Sequence, residues 1–110
     1  MDWKILSELK QIEQLSAESN LQPIVIFKHS TRCSISSVAK ARLERAQQPA
    51  GISFYYLDLL QHRDISNLLA ERYLVYHESP QVLLIKNGEC IYDESHNGID
   101  MNEIVDKALH

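Results

Sequence analysis

Glycine and proline are scarce, with three of each in 110 residues, which excludes a collagen-like or Pro/Gly-rich disordered chain. Cysteine occurs twice, as Cys33 and Cys90. That is too few for a disulfide scaffold, and a reducing compartment keeps both as thiols. The two are far apart and form no Cys-x-x-Cys pair. No apolar run approaches the ~20 residues of a membrane span, so no membrane role is expected. Positive charge is in deficit: 11 Lys and Arg stand against 15 Asp and Glu, for a net charge of -4 and a pI near 5.7. A nucleic-acid surface built on bulk positive charge is excluded. The five histidines (His29, His62, His77, His96 and His110) and two cysteines form no paired ligand spacing, so no metal and no resident cofactor are expected. The opening residues, Met1-Asp2-Trp3-Lys4, lack the apolar core and cleavage site of a signal peptide, and the expected location is the cytoplasm.

The remaining composition, 45% hydrophobic and 24% charged, is that of a globular protein, and the length suits one domain over residues 1–110. Ile5, Leu6, Leu9, Ile12 and Leu15 recur at helical spacing, so the pattern predicts an amphipathic helix over 3–18 with Asp2 as N-cap. The run Ile24-Val25-Ile26-Phe27 reads as a strand buried on both faces. A polar loop from His29 to Arg32 leads into a helical stripe of Ile35, Val38, Ala39, Arg42, Leu43 and Ala46, which ends before Pro49. A second strand falls at 52–59, and a helix with Ile65, Leu68, Leu69 and Tyr73 on its inner face starts at Asp64. A third strand, Val82–Ile85, meets Asn87-Gly88 and then Ile91-Tyr92. This is a hairpin signal, because both central residues of a type I′ turn need φ > 0. Asp100 and Glu103, at capping-box spacing, open a last helix. Helix, β-α-β, helix, β-hairpin, helix gives an α/β fold: a four-stranded mixed sheet flanked by helices, in the thioredoxin-like layout.

Cys33 sits where the loop after the first strand becomes a helix. The first helical turn carries free backbone N–H groups and partial positive charge, and both stabilise a thiolate. A free cysteine titrates near ~8.5, and helix N-termini lower this to roughly 3.5–7.5. Arg32, with Lys28 and His29 close in sequence, adds positive potential. On the residues alone Cys33 is either this reactive sulfur or an inert thiol that opens a helix. One turn on, Ser36 completes a Cys-x-x-Ser, which places its hydroxyl within reach of the sulfur but offers no partner for an internal disulfide. Pro80, after Ser79 and before the third strand, is either a trans-proline opening that strand or a cis-proline turning the Ser79 backbone toward Cys33. His96 falls in the loop before the last helix, and Cys90 on the second strand of the hairpin is most simply a packing residue.

Cys33-Ser34-Ile35-Ser36 after Ile24–Phe27, with Glu78-Ser79-Pro80-Gln81 before Val82–Ile85, resembles the monothiol bacilliredoxin family of the thioredoxin superfamily. His29-Ser30-Thr31, His77-Glu78 and Ser95-His96 resemble that family's local signatures, and the likeness spans nearly the whole chain. One departure stands at Ser34: the family's Thr-Cys-Pro-Ile-Ser reads Arg-Cys-Ser-Ile-Ser here. The resemblance implies a cis Pro80 facing Cys33 and a cytosolic thiol–disulfide oxidoreductase. Its expected substrates are client proteins that carry bacillithiol, or a similar low-molecular-weight thiol, as a mixed disulfide. Cys33 and Ser36 are then the expected catalytic residues, and Arg32, Ser34, Ser79, Pro80 and His96 the substrate-binding ones. Free thiol or a reductant protein regenerates the enzyme. Two other readings stand beside it. One is a redox-silent thioredoxin-like module that only binds partners. The other is a glutaredoxin-like iron–sulfur carrier, whose Cys-Gly-Phe-Ser motif differs from the one here.

Overall fold

The β-branched run that begins at Ile24 forms the centre of a sheet because both of its faces are covered. The computed structural model describes all 110 residues, Met1–His110. Its elements are β1 (Trp3–Ile5), α1 (Lys10–Glu18), β2 (Ile24–His29), α2 (Ser34–Arg45), β3 (Ser53–Asp58), α3 (Arg63–Tyr73), β4 (Gln81–Lys86), β5 (Glu89–Ser95) and α4 (Met101–Leu109), with a short 3-10 turn at His96–Gly98. The strands lie in the order β1-β3-β2-β4-β5. β3 runs parallel to β1 and β2, whereas β4 runs antiparallel to β2 and β5. Successive side chains of β2 feed two cores. Ile24 and Ile26 pack with Ile12 and Leu15 of α1 and Ile65 and Leu69 of α3. Val25 and Phe27 pack with Ala39 and Leu43 of α2 and Ile104 and Ala108 of α4. No helix is long and apolar enough to cross a membrane.

The sheet has five strands where the sequence reading expects four. The extra strand comes from the segment expected to open a helix over 3–18; only Lys10–Glu18 is helical. Trp3 decides the matter. In register with Phe54, it stacks on Phe27 at 5.7 Å between ring centroids and meets Phe54 and Tyr56 edge-on. A helical segment would forfeit both these aromatic contacts and the ladder to β3. The Leu6 N–H donates to the Tyr56 carbonyl at 2.9 Å, and Leu6 is fully buried. Ile5 and Leu9, counted toward the helical stripe, are 58% and 46% exposed. The chain then turns because Gln11 reaches back: its Oε1 accepts the N–H groups of Ser7 and Glu8, and its Nε2 donates to the Ile5 carbonyl.

The hairpin and the last helix follow the sequence reading. Asn87 and Gly88 have φ of 53° and 77°, as a type I′ turn requires. Asp100 caps α4 by accepting the Glu103 N–H.

β2 runs two residues beyond the expected Phe27, and both are buried. Lys28 is wholly inaccessible. Its Nζ donates to the Ser66 carbonyl at 3.2 Å and lies 3.3 Å from His77 Nδ1. Burial lowers its pKa to about 8. His77 also lies below its ordinary value, through burial first and then the nearby Lys28 and Arg63 charges.

Two outcomes follow from these placements. Trp3→Ala lowers unfolding stability by roughly 2–3 kcal/mol and Ile5→Ala by less than about 0.5 kcal/mol; chemical denaturation of both variants checks the strand, since a helix over 3–18 predicts a substantial Ile5 loss. The second concerns pH. Folded Lys28 releases its proton near pH 8, well below the ordinary lysine value of 10.5. The unfolded state thus binds more protons between these values, and stability contributed by this group rises with pH there and is flat below. The stability of Lys28→Met relative to wild type therefore falls as pH is raised from about 8 to 10, measured by urea midpoints; a constant difference contradicts a buried ammonium.

Candidate functional site

Cys33 is the N-cap of α2. Its φ and ψ of -107° and 121° are extended, and its carbonyl accepts the first helical bond from Ser37 N–H at 3.0 Å. The Cys33 side chain makes no capping hydrogen bond to the first-turn N–H groups, so no side-chain cap of α2 occupies them. Cys33 is partly exposed, and Ser34, the first residue of α2, is exposed.

The loop before it is closed by two bonds. Cys33 N–H donates to the Ser30 carbonyl at 3.1 Å, and Ser30 N–H donates to Ser36 Oγ at 3.0 Å. Ser36 Oγ also lies 2.6 Å from His29 Nδ1. Ser36 was expected to turn its hydroxyl to the Cys33 sulfur; it turns inward instead. It shares the buried stripe of α2 with Ala39 and Leu43, and a hydroxyl in that position must find polar partners inside the protein. One proton and two lone pairs suffice: the oxygen accepts from the Ser30 N–H and shares a hydrogen bond with His29 Nδ1.

His29 is missed as a site residue by the sequence reading, which places it in the loop as a source of positive charge. It is 5% exposed, ends β2, and stacks on Phe27 at 5.7 Å. Burial, helped by Lys40, holds it below the ordinary imidazole value, with Asp58 and Glu44 pulling partly back. Lys28 points to the opposite face of the sheet, toward α3. His29 and Lys28 are both buried, and Arg32, exposed and next to Cys33 in the chain, is the cation at the surface of the loop. A period-two reading carried past Phe27 would have found both buried positions, but polar residues at a strand end look like loop.

The second wall of the site is the start of β4. The Ser79–Pro80 peptide is cis. Lys28 pairs with Gln81 across β2 and β4, which sets Pro80 level with His29, at the end of β2 from which the Cys33 loop leaves. Ser79 Oγ is buried without a protein partner. The His96 N–H donates to the Pro80 carbonyl at 3.0 Å. Arg42 of α2 donates to the carbonyls of Ile99, at 2.7 Å through Nη2, and His96, at 3.4 Å. The helix that Cys33 caps, the His96 turn and Pro80 are thus tied in one chain of bonds. The His96 side chain itself is exposed.

Cys90 stands apart, on the edge strand β5. It is half-buried, its Sγ donates to the Tyr92 carbonyl at 3.3 Å, and burial pushes its thiol up. Burial is the larger effect and favours the protonated, unreactive form.

Residues 4–104 match the family described as monothiol bacilliredoxin BrxC. Among solved structures, a protein provisionally described as an oxidoreductase with a thioredoxin fold is 31% identical at a TM-score of 0.82, the alignment covering 94% of this chain and 90% of that one. Thioredoxin from Fasciola hepatica is similar in fold, at 20% identity, a TM-score of 0.75 and coverage of 96% and 98%. Thioredoxin from Trypanosoma brucei brucei is similar at 11% identity, a TM-score of 0.77 and coverage of 96% and 87%. With a lone thiol at the head of α2 and a cis-proline before β4, the chain belongs to the monothiol bacilliredoxin family, thiol–disulfide oxidoreductases on the thioredoxin fold.

Proposed function

We propose that the protein removes bacillithiol, or a similar low-molecular-weight thiol, from mixed disulfides on client proteins in the cytoplasm. The Cys33 thiolate attacks the small-thiol sulfur. A disulfide forms between Cys33 and the small thiol, and the client sulfur departs with the electron pair as a thiolate. A second small thiol, or a reductant protein, then attacks that disulfide and restores Cys33. The observation that carries this reading is Cys33 itself: partly exposed, at the N-cap of a 12-residue helix, with no second cysteine in its motif. Ser79 and Pro80 serve as the surface for the client backbone in this scheme, and Arg32, Ser34 and His96 border the bound small thiol. Ser36 is assigned the part of a positioning residue, holding the loop rather than touching the sulfur.

Two outcomes test it. Cys33→Ser abolishes reduction of a bacillithiolated client, followed by intact mass, while Cys90→Ser retains the wild-type rate; equal loss in both variants sinks the one-cysteine scheme. Ser34→Pro restores the residue the family carries at the first helical position. That position needs no N–H, and the extended backbone of Cys33 suits a residue before proline. The substitution raises stability by about 0.4–1 kcal/mol in denaturant unfolding; destabilisation shows that the helix start does not accept the proline ring.

A further inference from the structure

A polar cavity of about 360 Å³ opens next to the Cys33 loop, lined by Thr31, Arg32, Asp58, Leu60, Gln61 and Arg63. We propose that this cavity is the subsite for the carboxylate end of a small anionic thiol held as a mixed disulfide on Cys33. The inference rests on the disulfide-exchange reading and adds to it the residues that select the small thiol by its charge.

The cavity joins the loop before α2 to the turn between β3 and α3, and its volume suits a small ligand. Two arginines face one carboxylate across it, in a chain whose net charge is -4. Neither Arg32 nor Arg63 belongs to any of the four ion pairs of the protein, which join Lys4 to Glu18, Lys10 to Glu8, Lys40 to Glu44 and Arg72 to Glu13. The one carboxylate in the wall, Asp58, is occupied by its own turn: Oδ1 accepts the N–H groups of Leu60 at 3.1 Å and Gln61 at 3.4 Å. Arg63 opens α3, whose N-cap His62 makes no side-chain capping bond; within that first turn Asp64 Oδ1 accepts the Ile65 N–H at 2.8 Å, so the two guanidinium forks are the donors the cavity offers. Such forks match carboxylate oxygens in pairs. Cys33 is not in the wall but follows Arg32, one ~3.8 Å step along the chain. The proposal therefore lays the small thiol along Arg32, from the Cys33 sulfur into the cavity that Arg32 lines.

The reacting step balances without another oxidant. The Cys33 thiolate forms a bond to one sulfur of a disulfide, the existing S–S bond breaks, and the other sulfur leaves as a thiolate. The cavity affects which disulfide is bound, not the electron count.

The test uses three symmetric disulfides of similar size: dithiodipropionate (anionic), bis(hydroxyethyl) disulfide (neutral) and cystamine (cationic). Rates of adduct formation on Cys33 are read by intact mass at low ionic strength, for wild type, Arg32→Gln, Arg63→Gln and the control Arg45→Gln on the far end of α2. The expected wild-type preference for the anionic over the neutral probe is roughly three- to tenfold. It falls toward one in Arg32→Gln and Arg63→Gln, falls with added salt, and persists in Arg45→Gln. If the neutral and anionic probes react alike in wild type, or if the preference survives both cavity substitutions, the subsite is wrong and the redox reading stands. If no probe forms an adduct on Cys33, both fall together.

Discussion

One hydroxyl, that of Ser36, holds the site together. It accepts the Ser30 N–H and pairs with His29 Nδ1, so the end of β2 and the first turn of α2 share a single oxygen. The four residues between, Ser30 to Cys33, are left to bridge a short gap, and the Cys33 N–H closes it on the Ser30 carbonyl. Cys33 is thereby held at the N-cap, half out of the helix, where its sulfur is not packed into the core. The arrangement depends on burial: a serine on the inward stripe of α2 and a histidine at a strand end each need a polar partner, and each finds the other. His29 is neutral in this pairing, which lets it stack on Phe27 without bringing a charge into the core.

A monothiol site also needs the other sulfur to stay out of the chemistry. Cys90 sits on the edge strand β5, separated from the central strand β2 by β4. Its thiol is engaged by the Tyr92 carbonyl and shielded by the core cluster beneath it. The positive charge of the region is likewise divided. Lys28 is spent inside the molecule on Ser66 and His77, whereas Arg32 and Arg63 remain unpaired at the surface beside the reactive loop.

Much of the fold was legible in the sequence because the signals were redundant. Ile24–Phe27 is apolar on both faces, Asn87-Gly88 marks a turn with positive φ, and Asp100 and Glu103 mark a helix start; each was confirmed in place. Trp3–Ile5 failed because three residues are too few to show a period of two, and the helical stripe of Ile12 and Leu15 could be extended backward through Leu9, Leu6 and Ile5. What makes that segment a strand is the aromatic cluster of Trp3, Phe27, Phe54 and Tyr56, a contact between residues far apart in sequence. The place of Cys33 at the head of α2 and of Pro80 before β4 was legible in the order of strand, loop and helix, whereas the cis form of the Ser79–Pro80 bond followed only from the family resemblance. The burial of His29 and Lys28 was not legible, because polar side chains at a strand end look like loop.

The central claim of the proposal is that Cys33 at the head of α2 is the reactive sulfur of the protein and Cys90, packed against the core, is not. Native protein exposed briefly to limiting iodoacetamide near neutral pH, quenched, digested and analysed by mass spectrometry, reads both thiols in one sample. The account predicts that label accumulates on Cys33 at least about tenfold faster than on Cys90. Equal labelling, or label on Cys90 ahead of Cys33, contradicts it.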